Sequence, residues 1–217
     1  MTNGLDAVLF DMDGLLVDTE PLWFETETEV MARLGAGWTH ADQERLLGGS
    51  MSKTVSYLLA RATKPAPPDT VARWLMDGML RRAAEGRVTV RPGARELLAA
   101  VAAAEIPHAL VTSSQRPFAD AVLRGTGFRF PQVVTAENTT ATKPDPEPYL
   151  FAAKLLNADP GKCVALEDSP NGVASATAAG CRVIAVPSLT PIPGAPGRLV
   201  VPSLSGLSLD TLRALVA

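Results

Sequence analysis

Ala7-Val8-Leu9-Phe10-Asp11-Met12-Asp13-Gly14 is the stretch on which the fold turns: four apolar residues of β character, two acids around a methionine, then a glycine. A short apolar run closed by polar residues is the pattern of a strand buried on both faces of a parallel sheet, its C-terminal end opening into a loop. Four later runs repeat it, at residues 109–112, 132–136, 163–167 and 182–186. Helical segments at 94–104, 117–124, 146–156 and 170–179 alternate with them, and this βα order predicts an α/β fold with a doubly wound parallel sheet that includes the first strand. No strand interrupts residues 18–88. There, segments 21–34, 41–47, 52–61 and 69–85 have helical spacing, with Leu22, Trp23, Val30, Met31 and Leu34 along the first, Glu25, Glu27 and Glu29 on its other side, and Asp69 placed to cap the last. The expected organisation is a core of residues 1–17 and 89–217 carrying an all-helical insertion, 18–88, with the two crossings near Val17 and Val90 available as hinges. The Pro-, Gly- and Ser-rich stretch from 187 to 208 reads as loops around a short strand at 199–201, before a final helix.

Composition narrows the function. A chain of 217 residues with 47% hydrophobic content is long enough for a substantial core, and 20 basic against 23 acidic residues leave a net charge of -3. No broad cationic face is available for nucleic acid or anionic lipid, so neither partner is expected. The longest wholly apolar run, residues 97–104, is far shorter than a membrane span, and the first residues carry no basic leader. Cys163 and Cys181 lack CxxC spacing and His40 and His108 lie far apart, which removes zinc and disulfide readings and suits a reducing, cytoplasmic setting. Both cysteines and His108 read as structural. Oligomeric state is open, and a monomer is compatible with everything above.

In such a sheet ligands gather at the C-terminal strand edge, so the residues that end successive strands carry the chemistry. They form a coherent set. Asp11, Asp13 and Gly14 end the first strand, Thr112, Ser113 and Ser114 the second, Glu167 and Asp168 a later one, and a crossover supplies Lys143. Asp11 and Asp13 lie on the same side of an extended segment, about 6.6 Å apart at the usual strand rise. One carboxylate can attack a phosphoryl group while the other protonates the leaving oxygen and later deprotonates water. So much buried negative charge calls for a cation, and oxygen ligands without histidine or thiolate point to Mg²⁺, with Asp168 and Glu167 completing its site. Lys143, one of five lysines against fifteen arginines, and the Thr112 hydroxyl are placed to hold phosphoryl oxygens, with backbone N–H groups of Gly14 or Ser113 as further donors.

As an ordered set, from Phe10-Asp11-Met12-Asp13-Gly14 to Leu166-Glu167-Asp168-Ser169, these residues resemble the signature motifs of the haloacid dehalogenase superfamily over essentially the whole chain. The resemblance implies a Rossmann-like core with a small helical cap inserted after strand one. It implies Asp11 as nucleophile, Asp13 as acid/base, Thr112 and Lys143 as phosphate contacts, and Mg²⁺ on Asp11, Asp168, the Asp13 carbonyl and, as an auxiliary, Glu167. The run Asp11 to Trp23 is similar to the sugar-phosphate and small-metabolite phosphatases of the group that contains β-phosphoglucomutase. Two positions depart from the mutases: their cap histidine corresponds to Trp23, and their cap-loop arginine falls at or near Met51.

The resemblance therefore implies a Mg²⁺-dependent phosphatase acting on a small phosphorylated metabolite, such as a sugar phosphate. A sugar phosphomutase is the alternative, and a phosphoaspartate receiver module, which has no such helical insert, is the non-enzymatic one. Glu20 and the Gly48-Gly49-Ser50 turn of the cap are candidates to face substrate, and Arg116 could meet an anionic group, although an arginine starting a helix is more often simply exposed. Trp23 on an apolar stripe favours packing over substrate contact.

Overall fold

In the computed structural model, which describes residues 4–46 and 49–217, the chain begins with β1 (Ala7–Phe10) and β2 (Val17–Asp18). Four helices follow: α1 (Glu20–Arg33), α2 (His40–Glu44), α3 (Met51–Arg61) and α4 (Pro68–Ala84). After β3 (Thr89–Val90) the order is α5 (Ala94–Ala103), β4 (His108–Val111), α6 (Arg116–Thr126), β5 (Gln132–Val134), α7 (Glu147–Leu155), β6 (Cys163–Glu167), α8 (Pro170–Ala178), β7 (Arg182–Ala185), β8 (Arg198–Val200) and α9 (Leu209–Val216).

Six strands form one parallel sheet in the order β5-β4-β1-β6-β7-β8. The chain moves outward from β1 through β4 to β5, then returns to add β6, β7 and β8 on the other side, so the topological switch lies between β1 and β6. Crevices for ligands open at that point of a doubly wound sheet. Register fixes what meets there: Phe10 pairs with Leu110 and with Leu166, so Asp11, Val111 and Glu167 stand level at the sheet edge.

Alternation along the strands divides the core. Val8, Phe10, Leu110, Val164 and Leu166 face one side, with Leu97 and Val101 of α5, Phe118 and Val122 of α6 and Leu212 of α9. Ala7, Leu9, Ala109, Val111 and Ala165 face the other, against Tyr149 and Ala152 of α7 and Val173 and Ala176 of α8. The small side chains on this second face let α7 and α8 approach closely. Within the helical segment Val30, Met31, Leu34, Leu58, Val71 and Leu75 form a third cluster. That segment is also joined to the sheet, since Leu22 of α1 and Met79 and Ala83 of α4 belong to the first face's core.

Several local expectations need correction. Asp69 lies in the first turn of α4 and does not cap it; Pro67 holds the cap position and Pro68, whose missing N–H is no loss there, starts the helix. The second helix starts at His40 and ends at Glu44, and Leu47 lies outside the described residues. The run at 132–136 is a strand only to Val134, after which Thr135 and Asn138 close a capping box around a 3-10 turn. The crossings near Val17 and Val90 pair with one another, Val17 opposite Val90 and Asp18 opposite Thr89, as a two-residue antiparallel ribbon.

Candidate active site

Lys143 stands at the centre of the sheet edge. Its ammonium is buried and donates to Asp11 Oδ1 at 2.5 Å, Glu167 Oε1 at 2.5 Å and the Val111 carbonyl at 2.8 Å, which uses all three of its protons. The Tyr149 ring lies beneath it, 5.0 Å from centroid to Nζ, and the Tyr149 hydroxyl donates to the same Glu167 oxygen at 2.6 Å. The other Glu167 oxygen accepts the Asp168 N–H at 3.1 Å and the Ser169 hydroxyl at 3.4 Å. Ser169 in turn caps α8 by accepting from the Gly172 N–H, with Pro170 at the first position, so the strand-to-helix turn that presents Asp168 is locked by its own sequence.

Asp13 takes none of this ammonium's hydrogen bonds. Its Oδ1 accepts from Thr19 at 2.7 Å, and its Oδ2 accepts from Ser114 at 2.7 Å and Thr112 at 3.2 Å. The two acids, two residues apart in sequence, thus have different surroundings: Asp11 faces a cation and Asp13 three hydroxyls. Burial raises the Asp13 carboxyl above its ordinary value and the hydroxyls oppose the rise.

Asp11, Glu167 and Asp168 bring one oxygen each within 4.8 Å of one another, all three buried. Burial pushes the Asp11 carboxyl well above the carboxylate range; Lys143 opposes this, and Glu167, Asp168 and Asp13 add to it. Burial and then the Glu167 charge push Asp168 up to about 7, while Ser188 donates to its Oδ2 at 2.7 Å. Burial pulls the Lys143 ammonium down, but Asp11 and Glu167 outweigh it and its pKa stands above the ordinary lysine value. One ammonium among four acids leaves uncompensated negative charge in hard oxygen donors, which is the chemistry of a Mg²⁺ site. The residues present fit that ion.

A cavity opens from this edge into the space beneath the helical segment. Asp11, Asp13, Thr112, Ser113, Lys143 and Asp168 form its floor, and Ser113 presents a buried hydroxyl without a partner. Across it stand Glu20, Trp23 and Glu27 of α1, Gln43 of α2, and Gly49 and Met51 at the start of α3. A family profile for haloacid dehalogenase-like hydrolases matches residues 8–186, which takes in the whole floor of this cavity.

The chain belongs to that family. Hexitol phosphatase A of Escherichia coli K12 is 36% identical over 190 residues, covering 84% of each chain. The crystal structure of CbbY from Rhodobacter sphaeroides in complex with phosphate superposes with a TM-score of 0.87 at 30% identity, covering 96% of this chain and 99% of that one. A mutant of the same protein, solved with xylulose-(1,5)bisphosphate, gives the same score at 29% identity and the same coverage.

In this haloacid dehalogenase-like hydrolase the sequence-derived residues do not all behave alike. Asp11, Lys143, Glu167 and Asp168 converge in one bonded group at the sheet edge, Asp13 and Thr112 in a second beside it, and Glu20, Gly49 and Ser113 line the cavity. Gly14 does not serve as a phosphate donor, because its N–H is already given to the Val17 carbonyl at 2.8 Å. Its role is steric: at φ +84°, a β-carbon there would overlap the Asp168 carboxylate. Arg116 lies outside the cavity lining, more than half exposed and paired with Asp120 at 2.8 Å. Its backbone N–H is held by Glu137. Gly48 lies outside the described residues. Trp23 does both things weighed for it, packing edge-on against Phe118 at 6.1 Å and lining the cavity. His108 is bonded to the Ile106 carbonyl, and burial pushes the thiols of Cys163 and Cys181 up to about 12.

The grouping of Glu27 with its neighbours needs correction. Glu25, Glu27 and Glu29 cannot share a helix face, since positions two apart point about 200° around the axis from one another. Glu27 follows Glu20 and Trp23 at the i, i+3, i+7 spacing of one stripe and is 3% exposed, whereas Glu25 and Glu29 pair with arginines on the outside. Tyr149, Ser188 and Gln43 have no signal in the sequence because their roles are tertiary. No spacing rule connects a tyrosine in α7 to a carboxylate that ends β6.

Proposed function

We propose that this enzyme, a phosphatase of the haloacid dehalogenase-like family, hydrolyses a small phosphorylated sugar or sugar alcohol with the help of Mg²⁺ through a phosphate ester of Asp11. The observation that carries the proposal is the divergence of the two acids, Asp11 toward Lys143 and Asp13 toward three hydroxyls. The names of relatives, hexitol phosphatase A above all, support the substrate class.

Asp11, Asp168 and the Asp13 carbonyl would hold Mg²⁺, with Glu167 nearby. When bound, the ion supplies positive charge that lets an anionic phosphate approach a carboxylate. An Asp11 oxygen attacks phosphorus, the bond from phosphorus to the substrate's oxygen breaks, and Asp13 gives its proton to that oxygen so that a neutral alcohol departs. Water then loses a proton to Asp13 and attacks the same phosphorus, releasing inorganic phosphate and restoring the Asp11 carboxylate. The raised Asp13 carboxyl suits the first proton transfer, since the acid must be protonated when the ester binds. Lys143 orients Asp11 through the 2.5 Å contact and keeps its charge, and Ser113 offers a hydroxyl to phosphoryl oxygens. Residues 18–88 act as a cap that excludes bulk water during the first step. Trp23 and Met51 put apolar surface where the resemblance would place the mutase histidine and arginine, which favours water as acceptor.

Asp11→Asn tests the assignment. It is expected to retain the fold by circular dichroism and to lose turnover of p-nitrophenyl phosphate by on the order of 10³-fold or more, as removal of a covalent nucleophile does. Acid-quenched parental enzyme should carry phosphate on the peptide that contains Asp11. A phosphate adduct on another peptide, or an Asp11→Asn variant with parental turnover, overturns the mechanism.

A further inference from the structure

The cavity has a second end, and its chemistry differs from that of the floor. Glu27 reaches it from α1, only 3% exposed, with Oε2 buried near the Trp38 indole; neither atom has a hydrogen bond of normal geometry. A buried carboxyl whose only neighbouring donor is out of line leaves hydrogen-bonding capacity unused, so a ligand hydroxyl can pair with it. Glu20, two stripe positions earlier, is held in place by Gln43, whose amide donates to the Glu20 side chain at 2.9 Å and to its carbonyl at 2.8 Å. Gln43 also lines the cavity.

No cation among the described residues faces these acids. Of the described lining residues Lys143 is the only basic one, and its three protons are committed at the sheet edge. Lys53, whose stem passes Gly49 at the rim, is exposed. A hydroxylated chain would meet acceptors here; a second phosphate would meet two carboxyls and no counter-charge.

We propose that Glu27, with Glu20 and Gln43, forms a polyol-recognition subsite that accepts the uncharged hydroxylated chain of a monophosphate and rejects bisphosphates. The proposal rests on the phosphatase reading and adds to it a specificity-determining residue and a limit on substrate charge. It separates this chain from CbbY, which was crystallised with a bisphosphate despite the shared fold.

The test compares kcat/KM, with Mg²⁺, for four compounds: sorbitol 6-phosphate, fructose 6-phosphate, fructose 1,6-bisphosphate and p-nitrophenyl phosphate. The better of the two hexose-chain monophosphates is expected to exceed the bisphosphate by about tenfold or more, the size of effect expected from burying a second phosphate with no cation to pair it. Glu27→Leu is expected to lower the ratio of that monophosphate to p-nitrophenyl phosphate by about tenfold, mainly through KM, and Glu27→Gln to restore part of it. An unmoved ratio in Glu27→Leu, or a bisphosphate used as well as the monophosphate, overturns the polyol subsite while leaving the phosphatase reading intact. Absence of phosphate release from every monoester overturns both. Should Glu27→Leu fail to fold, the parental comparison of mono- and bisphosphate decides the matter alone.

Discussion

Gly14 shows how closely single residues are constrained around the acids. Its φ of +84° is one that L side chains rarely adopt, and the Asp168 carboxylate occupies the place of its missing β-carbon. Gly14→Ala is therefore expected to displace Asp168, lowering both stability, by about 1–3 kcal/mol, and the apparent affinity for Mg²⁺. Titration of the variant with the ion, followed by thermal melting, checks both. Glu27 carries a prediction of a different kind. Burial, with the Glu20 charge adding to it, pushes its carboxyl up from 4.5 to about 8, and the neighbouring Trp38 indole offsets this in part. Between those values the folded protein holds a proton that the unfolded chain has released, so this group's contribution is complete below pH 4.5 and declines as pH rises through 8. Glu27→Gln, neutral at every pH, should melt above the parent at pH 9 by about 2–4 °C for each kcal/mol recovered, with the difference vanishing toward pH 5. An equal difference at both pH values would show that burial does not hold Glu27 neutral. The acids at the strand ends were legible in the sequence because apolar strands point to their own termini. Glu27 was not, because a helix with acids at 20, 25, 27 and 29 offers no mark that tells an inward carboxylate from an outward one until the facing surface is known.

At the level of elements, α1 and α4 are clamped outside the cavity by an ionic network. Arg82 is 4% exposed and reaches Glu25 at 3.2 Å and Glu29 at 2.7 Å, while Arg87 takes Glu25 at 2.6 Å and Arg81 takes Glu29 at 2.8 Å. The Arg87 and then the Arg82 hydrogen bonds hold Glu25 down to about 2, and Arg82 likewise lowers Glu29. A depressed carboxyl contributes above its unfolded value of 4.5 and loses that contribution as pH falls toward 2. Arg82→Met should thus destabilise the protein by about 1–2 kcal/mol at pH 7, discounted for the exposure of its partners. The penalty should shrink in acid and in 1 M salt, as urea midpoints would show. A penalty independent of both would assign Arg82 a packing role. Helix positions were readable from apolar spacing, but the pairing of α1 with α4 was not, since it joins residues more than fifty positions apart.

For the molecule as a whole, the imbalance of charge at the sheet edge links ion binding to pH. Asp168 stands at about 7, burial being the main cause and Glu167 the next. A ligand oxygen must be deprotonated to bind a metal, so if Asp168 holds the proposed Mg²⁺, protons compete with the ion below that value. Calorimetry should find the Kd for Mg²⁺ weakening by up to about tenfold per pH unit below pH 7, with proton uptake by buffer on binding at pH 6.5. Invariance of Kd between pH 6 and 8 would remove Asp168 from the ion's ligands. The parallel sheet was legible because its strands are buried on both faces and alternate with helices. The tiny ribbon of Val17, Asp18, Thr89 and Val90 was legible only as two crossings, because two residues are too few to show a period.

That ribbon constrains motion more than its size suggests. Two independent tethers would let the helices above the sheet shear, tilt and twist in separate directions. Because Val17 is zipped to Val90 and Asp18 to Thr89, the outgoing and returning chains behave as one strap, and any rocking of α1–α4 must share a common axle there. Asp13 sits four residues before the strap and is bridged to Val17 itself. A swing at that axle would therefore be geared to Asp13, the proposed proton donor, and the arrival of a substrate under the helices would then aim the acid in the same movement.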